Sequence, residues 1–232
     1  MKLYSWVVCV GAACLWGACE KDLDKYTGKD YIRFSNDCSE DSIQYNFGLA
    51  GKIEADRIPL EMIVSGSTPD YDRSYSVVIN EATTAKEGEH FKLLSGNLVI
   101  RKGRVSDTLW LDVMNCEELK GRNLYLQLDL QENNNFSLCF PDHNICKIYL
   151  SDIIEKPEWW DEWQDTEGLG QYTEKKFRLF VQVSGIADLG KEEYPEKREA
   201  ILKFKYYLEK EANQGNVILD EDNKPMTVAM YG

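Results

Sequence analysis

The sequence predicts a mainly β protein: an immunoglobulin-like β-sandwich followed by a smaller, helix-containing C-terminal region. Three observations predict it. From Tyr31 to Leu150, short apolar segments recur between clusters of Gly, Asn, Asp and Pro, the spacing expected of a sandwich made from many short strands. Within these segments apolar residues alternate with polar or amphipathic ones. Leu109, Leu111 and Val113 flank Trp110 and Asp112, and Leu124, Leu126, Leu128 and Leu130 flank Tyr125, Gln127 and Asp129, so each strand buries one face. After Leu150 the pattern changes to Pro157, a tryptophan cluster and segments with helical spacing.

Residues 1–18 form the first segment. Lys2, an uncharged run from Leu3 and the small residues Gly17 and Ala18 before Cys19 read as a bacterial lipoprotein signal peptide, cut before Cys19. That cysteine would carry the acyl chains, palmitate among them. The run is shorter than the roughly 20 apolar residues of a membrane span. Residues 19–30 follow as an acidic tether, then 31–150 as the sandwich and 151–232 as a helical or mixed region.

In the sandwich, strands are expected near Tyr31–Phe34, Ser42–Phe47, Ile58–Val64, Ser74–Asn80, Phe91–Leu94, Asn97–Ile100, Thr108–Val113, Asn123–Leu130 and Ile145–Leu150. Beyond it, Thr173 is a candidate N-cap for a helix carrying Phe177, Phe180 and Val181 on one face, which Ser184-Gly185 would stop. A strand over Phe177–Val183 is the competing reading. A second helix is expected over about Glu196–Asn213, with Ile201, Phe204, Leu208 and Ala212 on one face, ending at Gln214-Gly215-Asn216.

Composition restricts function. Acidic residues outnumber basic ones 40 to 27, for a formal charge of −13; removing residues 1–18, whose one charge is Lys2, makes it −14. Such a chain lacks the basic face that nucleic acid or an anionic leaflet requires, so membrane attachment would rest on the acyl anchor. Of seven cysteines, Cys9, Cys14 and Cys19 lie in the export segment, and Cys38, Cys116, Cys139 and Cys146 in the folded part. Four thiols in an exported protein point to disulfides. Three pairings are open, and the turn-like Pro141-Asp142-His143-Asn144 favours Cys139 with Cys146. Four buried free thiols is the competing reading. Two histidines and no C-x-x-C pair leave little for zinc. His90 and His143 sit in polar, turn-like contexts and read as surface residues.

Catalytic templates are missing: the sequence holds no G-x-S-x-G, H-E-x-x-H or P-loop, and Gly168-Leu169-Gly170 reads as a helix lead-in. Carboxylate pairs such as Asp70 with Asp72 or Asp161 with Glu162 are expected by chance among so many acids. A non-enzymatic protein is the reading, with a weak glycoside hydrolase as the remote alternative. Trp159, Trp160 and Trp163 have two readings: a platform stacking on sugar rings or peptide side chains, helped by Glu158, Asp161 and Glu162, or packing in a core or domain junction. Packing is favoured for Trp160 and Trp163.

Several motifs carry a resemblance. Tyr31-Ile32-Arg33-Phe34, Asp72-Arg73-Ser74-Tyr75, residues 85–91 (Ala-Lys-Glu-Gly-Glu-His-Phe), Pro157-Glu158-Trp159-Trp160 and residues 169–177 resemble, in order and spacing, an uncharacterised family of Bacteroidota surface lipoproteins, a domain of unknown function. The resemblance implies that Glu20, Lys21 and Asp22 direct export to the outside of the outer membrane. It also implies an accessory role beside a SusCD-type nutrient transporter, in uptake of glycan or oligopeptide. A structural or adhesive module is the alternative. Asp41-Ser42-Ile43 and Asp107-Thr108-Leu109 resemble the O-glycosylation sequon of that phylum, with Ser42 the better acceptor and Thr108 the second. Residues 81–130 resemble a Calx-beta domain, which implies calcium bound by loop carboxylates, here Glu87, Glu89, Glu117 and Glu118. His90-Phe91 stands where that family has Asp-Tyr, which removes an oxygen donor, so no cofactor is the first expectation.

Overall fold

Strands whose apolar residues lie on one side leave water only by pairing two such faces. A computed structural model of the chain describes residues 28–39, 42–93, 98–138 and 140–231. Cys19, Glu20, Lys21, Asp22 and Cys139 lie outside them. The strands are β1 (Asp30–Phe34), β2 (Ile43–Asn46), β3 (Ala55–Ser65), β4 (Arg73–Ser74), β5 (Ser76–Ile79), β6 (Phe91–Leu93), β7 (Val99–Ile100), β8 (Ser106–Met114), β9 (Leu124–Gln131), β10 (Phe136–Leu138) and β11 (Ile145–Ser151). One sheet has the order β10-β1-β3-β8-β6 and the other β2-β11-β9-β5, with β4 and β7 as a separate ribbon. The chain is a mainly β protein of sandwich type with a helical C-terminal region.

The alternation read from the sequence is the packing. Ile32, Phe34, Leu60, Met62, Leu109, Leu111 and Val113 of one sheet are buried with Leu124, Leu126, Leu128, Leu130, Cys146, Ile148 and Leu150 of the other. Several boundaries differ. The expected strand Ser74–Asn80 divides at Tyr75, because Arg73 and Ser74 pair with β7 whereas Ser76–Ile79 pair with β9. Strand β10, which the sequence reading omits, has three residues and pairs in parallel with β1. A short helix, α1 (Asn36–Ser39), also went unexpected.

One lock ties the ribbon to β1. Arg73, buried against the Phe136 ring, pairs with Asp30, whose carboxylate also accepts from the Ser67 amide (2.9 Å) and hydroxyl (2.8 Å). Gly66, at φ +146°, is required there: a Cβ would fall 2.1 Å from Asp30 Oδ1.

The C-terminal region has its own core. Helices α2 (Glu162–Thr166), α3 (Glu174–Ser184) and α4 (Tyr194–Asn213) bring Trp160, Leu169, Phe177, Phe180, Ile201 and Phe204 together. Thr173 caps α3 by accepting from the Lys176 amide, and Gly185, at φ +82°, closes it, so the helical reading of 177–183 is correct. Helix α4 starts two residues before the expected Glu196, since Pro195 in its first turn suits a helix start. No helix among the described residues is long and apolar enough to cross a membrane.

The two cores meet through a charged link. Asp152, just after β11, is buried, and Arg178 of α3 donates to its Oδ1 at 2.5 Å and to its backbone oxygen at 2.7 Å. Asn115 Nδ2 donates to the other carboxylate oxygen at 3.2 Å.

Candidate functional site

The structure splits the tryptophan trio. Trp160 is 1% exposed, and its indole Nε1 donates to the Gly170 carbonyl at 3.0 Å, so both its area and its polar atom are satisfied inside the protein. Tyr172 meets it edge-on at 5.1 Å. Its neighbours belong to the helical core, so it is not a bolt onto the sandwich. Trp159 is half-buried, stacked on Trp160 at 5.4 Å and tilted against Phe177 and Phe180. Trp163, on α2, is half-buried: it packs against the helical core as expected and also lines a groove.

That groove, about 490 Å³, is lined by Trp159 and Trp163 with Tyr194 and Lys197 of α4, and by Asp161, Gln164 and Glu167. Local rules place each group. Asp161 is the N-cap of α2, its Oδ1 accepting from the Gln164 amide at 3.0 Å, which fixes the side chain at the groove. Gln164 is buried and accepts from the Leu169 amide, so it steadies the floor. Tyr194 is 60% exposed at the start of α4. A smaller cavity continues past Trp163 and Glu167 to Arg198 and Tyr231. Of the groups the sequence offered, Trp159, Trp163 and Asp161 line the groove, whereas Glu158 and Glu162 do not. Tyr194 and Lys197 were missed: they enter from a distant helix, and their only local signal is the Tyr-Pro start of α4.

A second cavity, about 550 Å³, lies over the junction, among Lys52, Cys116, Lys120, Asp152 and Arg178. Several of its charges are already paired within the protein. Arg178 Nε donates to Glu174 at 2.7 Å, Lys120 pairs with Glu117 at 2.8 Å, and Lys52 pairs with Asp56 at 3.4 Å. It is a polar seam between the two cores.

The calcium expectation meets a different arrangement. Of Glu87, Glu89, Glu117 and Glu118, the fold brings Glu89 and Glu118 together around His90, which is fully buried rather than on the surface. His90 packs there because the turn folds back on itself: its amide donates to the Lys86 carbonyl and its carbonyl accepts from Met114. Its Nε2 lies 3.3 Å from Glu118 Oε2 and 3.6 Å from Glu89 Oε1. The Lys86 amide donates to Nδ1 at 2.9 Å, so the neutral ring carries its proton on Nε2, the nitrogen facing the carboxylates. A metal would need that lone pair. Glu118 is further engaged by Arg122, whose hydrogen bond holds its carboxyl below the usual range. The residues present do not fit a metal.

The remaining candidates stand apart. Asp72 accepts from the Lys102 amide (2.8 Å) and from Arg101 (2.9 Å), which hold its carboxyl below the usual range, so it braces a turn. Cys38, Cys116 and Cys146 carry free thiols. Ser42 is half-buried before β2 and accepts from Gln44 Nε2 at 2.7 Å. Thr108 is half-buried on the outer face of β8, opposite Glu61. His143 is half-buried, its ring meeting Phe140 edge-on at 6.0 Å.

No curated protein matches this sequence. Among solved structures, the chain is similar to a Bacteroides ovatus protein described as a "putative carbohydrate binding protein" (17% identity, TM-score 0.39, covering 54% of this chain and 38% of that one). It is similar to a Bacteroides ovatus protein of unknown function (13%, TM-score 0.40, 51% and 43%) and to the calcium binding domain CBD12 of CALX1.1 (11%, TM-score 0.37, 52% and 44%). The chain thus spans less than half the length of each. The family profile for a domain of unknown function matches residues 25–186, the sandwich together with the tryptophan segment and α3, and the chain belongs to that family, DUF4843.

Proposed function

We propose that this protein is a lipid-anchored outer-membrane surface protein that binds glycan in the Trp159–Trp163–Tyr194 groove as an accessory to a SusCD-type uptake system. The groove's composition carries the reading. Flat aromatic faces suit the C–H faces of sugar rings, and Asp161, Glu167 and Lys197 beside them suit the hydroxyls. An oligopeptide fits the same groups less well, since its backbone asks for an aligned row of donors and acceptors. The role is binding rather than catalysis. Cys19, carrying acyl chains, supplies the anchor, and Glu20, Lys21 and Asp22 the export signal. A transporter partner is favoured by the outer face of α4, where Tyr194, Leu202 and Tyr206 leave apolar surface beside the groove.

Native gels cast with a panel of soluble plant and mucosal polysaccharides test the binding. Retardation by at least one of them, lost in Trp163→Ala and in Tyr194→Ala although both variants remain folded at the temperature of the gel, is the expected result. Migration unaffected by every polysaccharide would refute glycan binding. Loss of membrane fractionation in Cys19→Ala is expected if the anchor is as proposed, and an unchanged membrane fraction would refute it.

A further inference from the structure

We propose that Cys38 and Cys146 are the pair that oxidises to a disulfide, fastening α1 to the interior strand of the four-stranded sheet. The inference rests on the export reading for its oxidising surroundings and on the fold for its geometry. Cys38 lies on α1, which packs against β11, and Cys146 lies on β11 with its side chain turned into the core. Both are buried in the same core cluster, near enough for each thiol to shift the other's ionisation. Cys116, by contrast, lines the junction cavity. The turn at residues 141–144 is a 3-10 turn leading into β11, so it does not aim Cys146 back along the chain; the alternation of β11 sends its sulfur inward.

The pair is also chemically unequal. The neighbouring Cys146, helped by a hydrogen bond from the Ser35 hydroxyl at 3.4 Å, holds the Cys38 thiol below its ordinary value. The proximity of Cys38, together with burial, pushes Cys146 up. The Ser35 donor at the Cys38 sulfur favours Cys38 as the attacking thiolate. It attacks one sulfur of an external disulfide, either glutathione disulfide or that of a dithiol oxidase, forming a mixed disulfide and releasing one thiolate. Cys146 then gives up its proton and attacks the Cys38 sulfur, expelling the second thiolate. Two protein thiols lose two electrons, and one external disulfide becomes two thiols. Because both sulfurs are buried, the exchange occurs before α1 docks or when this single-turn helix lifts.

The test refolds the reduced full-length chain, with Cys9, Cys14 and Cys19 replaced by serine, in a glutathione buffer containing glutathione disulfide. Acid quenching, alkylation under denaturing conditions and peptide mapping follow. The expected product takes up two alkyl groups fewer than the reduced chain and is lighter by about 2 Da before alkylation, the two thiol hydrogens. Its cross-link joins Cys38 to Cys146, persists in Cys139→Ser, and is lost in both Cys38→Ser and Cys146→Ser. A cross-link that persists in Cys38→Ser, or one using Cys139 or Cys116, overturns the proposal. So does a refolded chain with every thiol free. Refolding does not depend on export, so its failure leaves the export reading to the Cys19→Ala fractionation.

Discussion

Trp160 and Trp163 stand three residues apart and do different things, and the difference is one of orientation around a turn. Trp160 points inward beneath Tyr172 and Phe177, while Trp163, one turn later on α2, looks into the groove. Trp160→Ala should therefore cost about 3–5 kcal/mol, the scale of large aromatic deletions in cores. Trp163→Ala should cost less than half of that. Denaturant midpoints measure both, and equal shifts would contradict the division of roles. Two tyrosines make a second residue-scale prediction. Tyr75 donates to Asp107 at 2.8 Å and Tyr45 to Asp56 at 2.7 Å; burial first, then the adjacent carboxylate, pushes both phenols far above the ordinary value of about 10. Above that pH the unfolded chain gives up these protons and the folded one keeps them. Their stabilisation is thus complete below about pH 10 and is lost as pH rises, by at most about 1.4 kcal/mol per pH unit for each. Tyr75→Phe should flatten the alkaline limb of a stability–pH curve, and an unchanged slope would count against the coupling.

At the scale of elements, what the sequence discloses is what local chemistry decides. Helix α3 was legible because Thr173, the apolar face Phe177–Phe180–Val181 and Gly185 lie within a dozen residues and agree with one another. The long strands β8 and β9 were legible because alternation repeats along them. Partners far along the chain decide the rest. Strand β10 exists because β1 offers an edge at Asp30–Ile32, and the break at Tyr75 exists because β7 and β9 lie in different sheets. The candidate site divides in the same way. Trp159, Trp163 and Asp161 could be singled out from their own segment, but a groove needs an opposite wall, and Tyr194 and Lys197 supply it from another helix. His90 shows the converse: its polar neighbours suggest exposure, but its own turn folding back and the approach of Met114 and Glu118 together bury it.

For the molecule as a whole, the question is what holds the helical region to the sandwich. The sequence suggested tryptophans, but these serve the helical core, and the link is the Asp152–Arg178 pair. Asp152 is 1% exposed at its side chain and Arg178 is 20% exposed. Charges in such a place carry a large desolvation cost, which the two direct bonds from Arg178 and the contact from Asn115 offset. Removing one partner leaves the other unpaired without returning it to water. Arg178→Met should accordingly lower stability by about 3–5 kcal/mol, whereas Arg178→Met combined with Asp152→Asn should recover part of that loss, because no unpaired buried charge remains. The loss should also be local at first. With α3 no longer held beside residues 115–120 and 152, limited proteolysis of Arg178→Met should cut between Ser151 and Trp159, releasing the helical region from a sandwich that keeps its own core. A denaturant midpoint unmoved by Arg178→Met would show that the pair contributes nothing net. A lowered midpoint without cleavage in that segment would show that the two cores unfold as one unit, and that the link serves the whole chain rather than a separable seam.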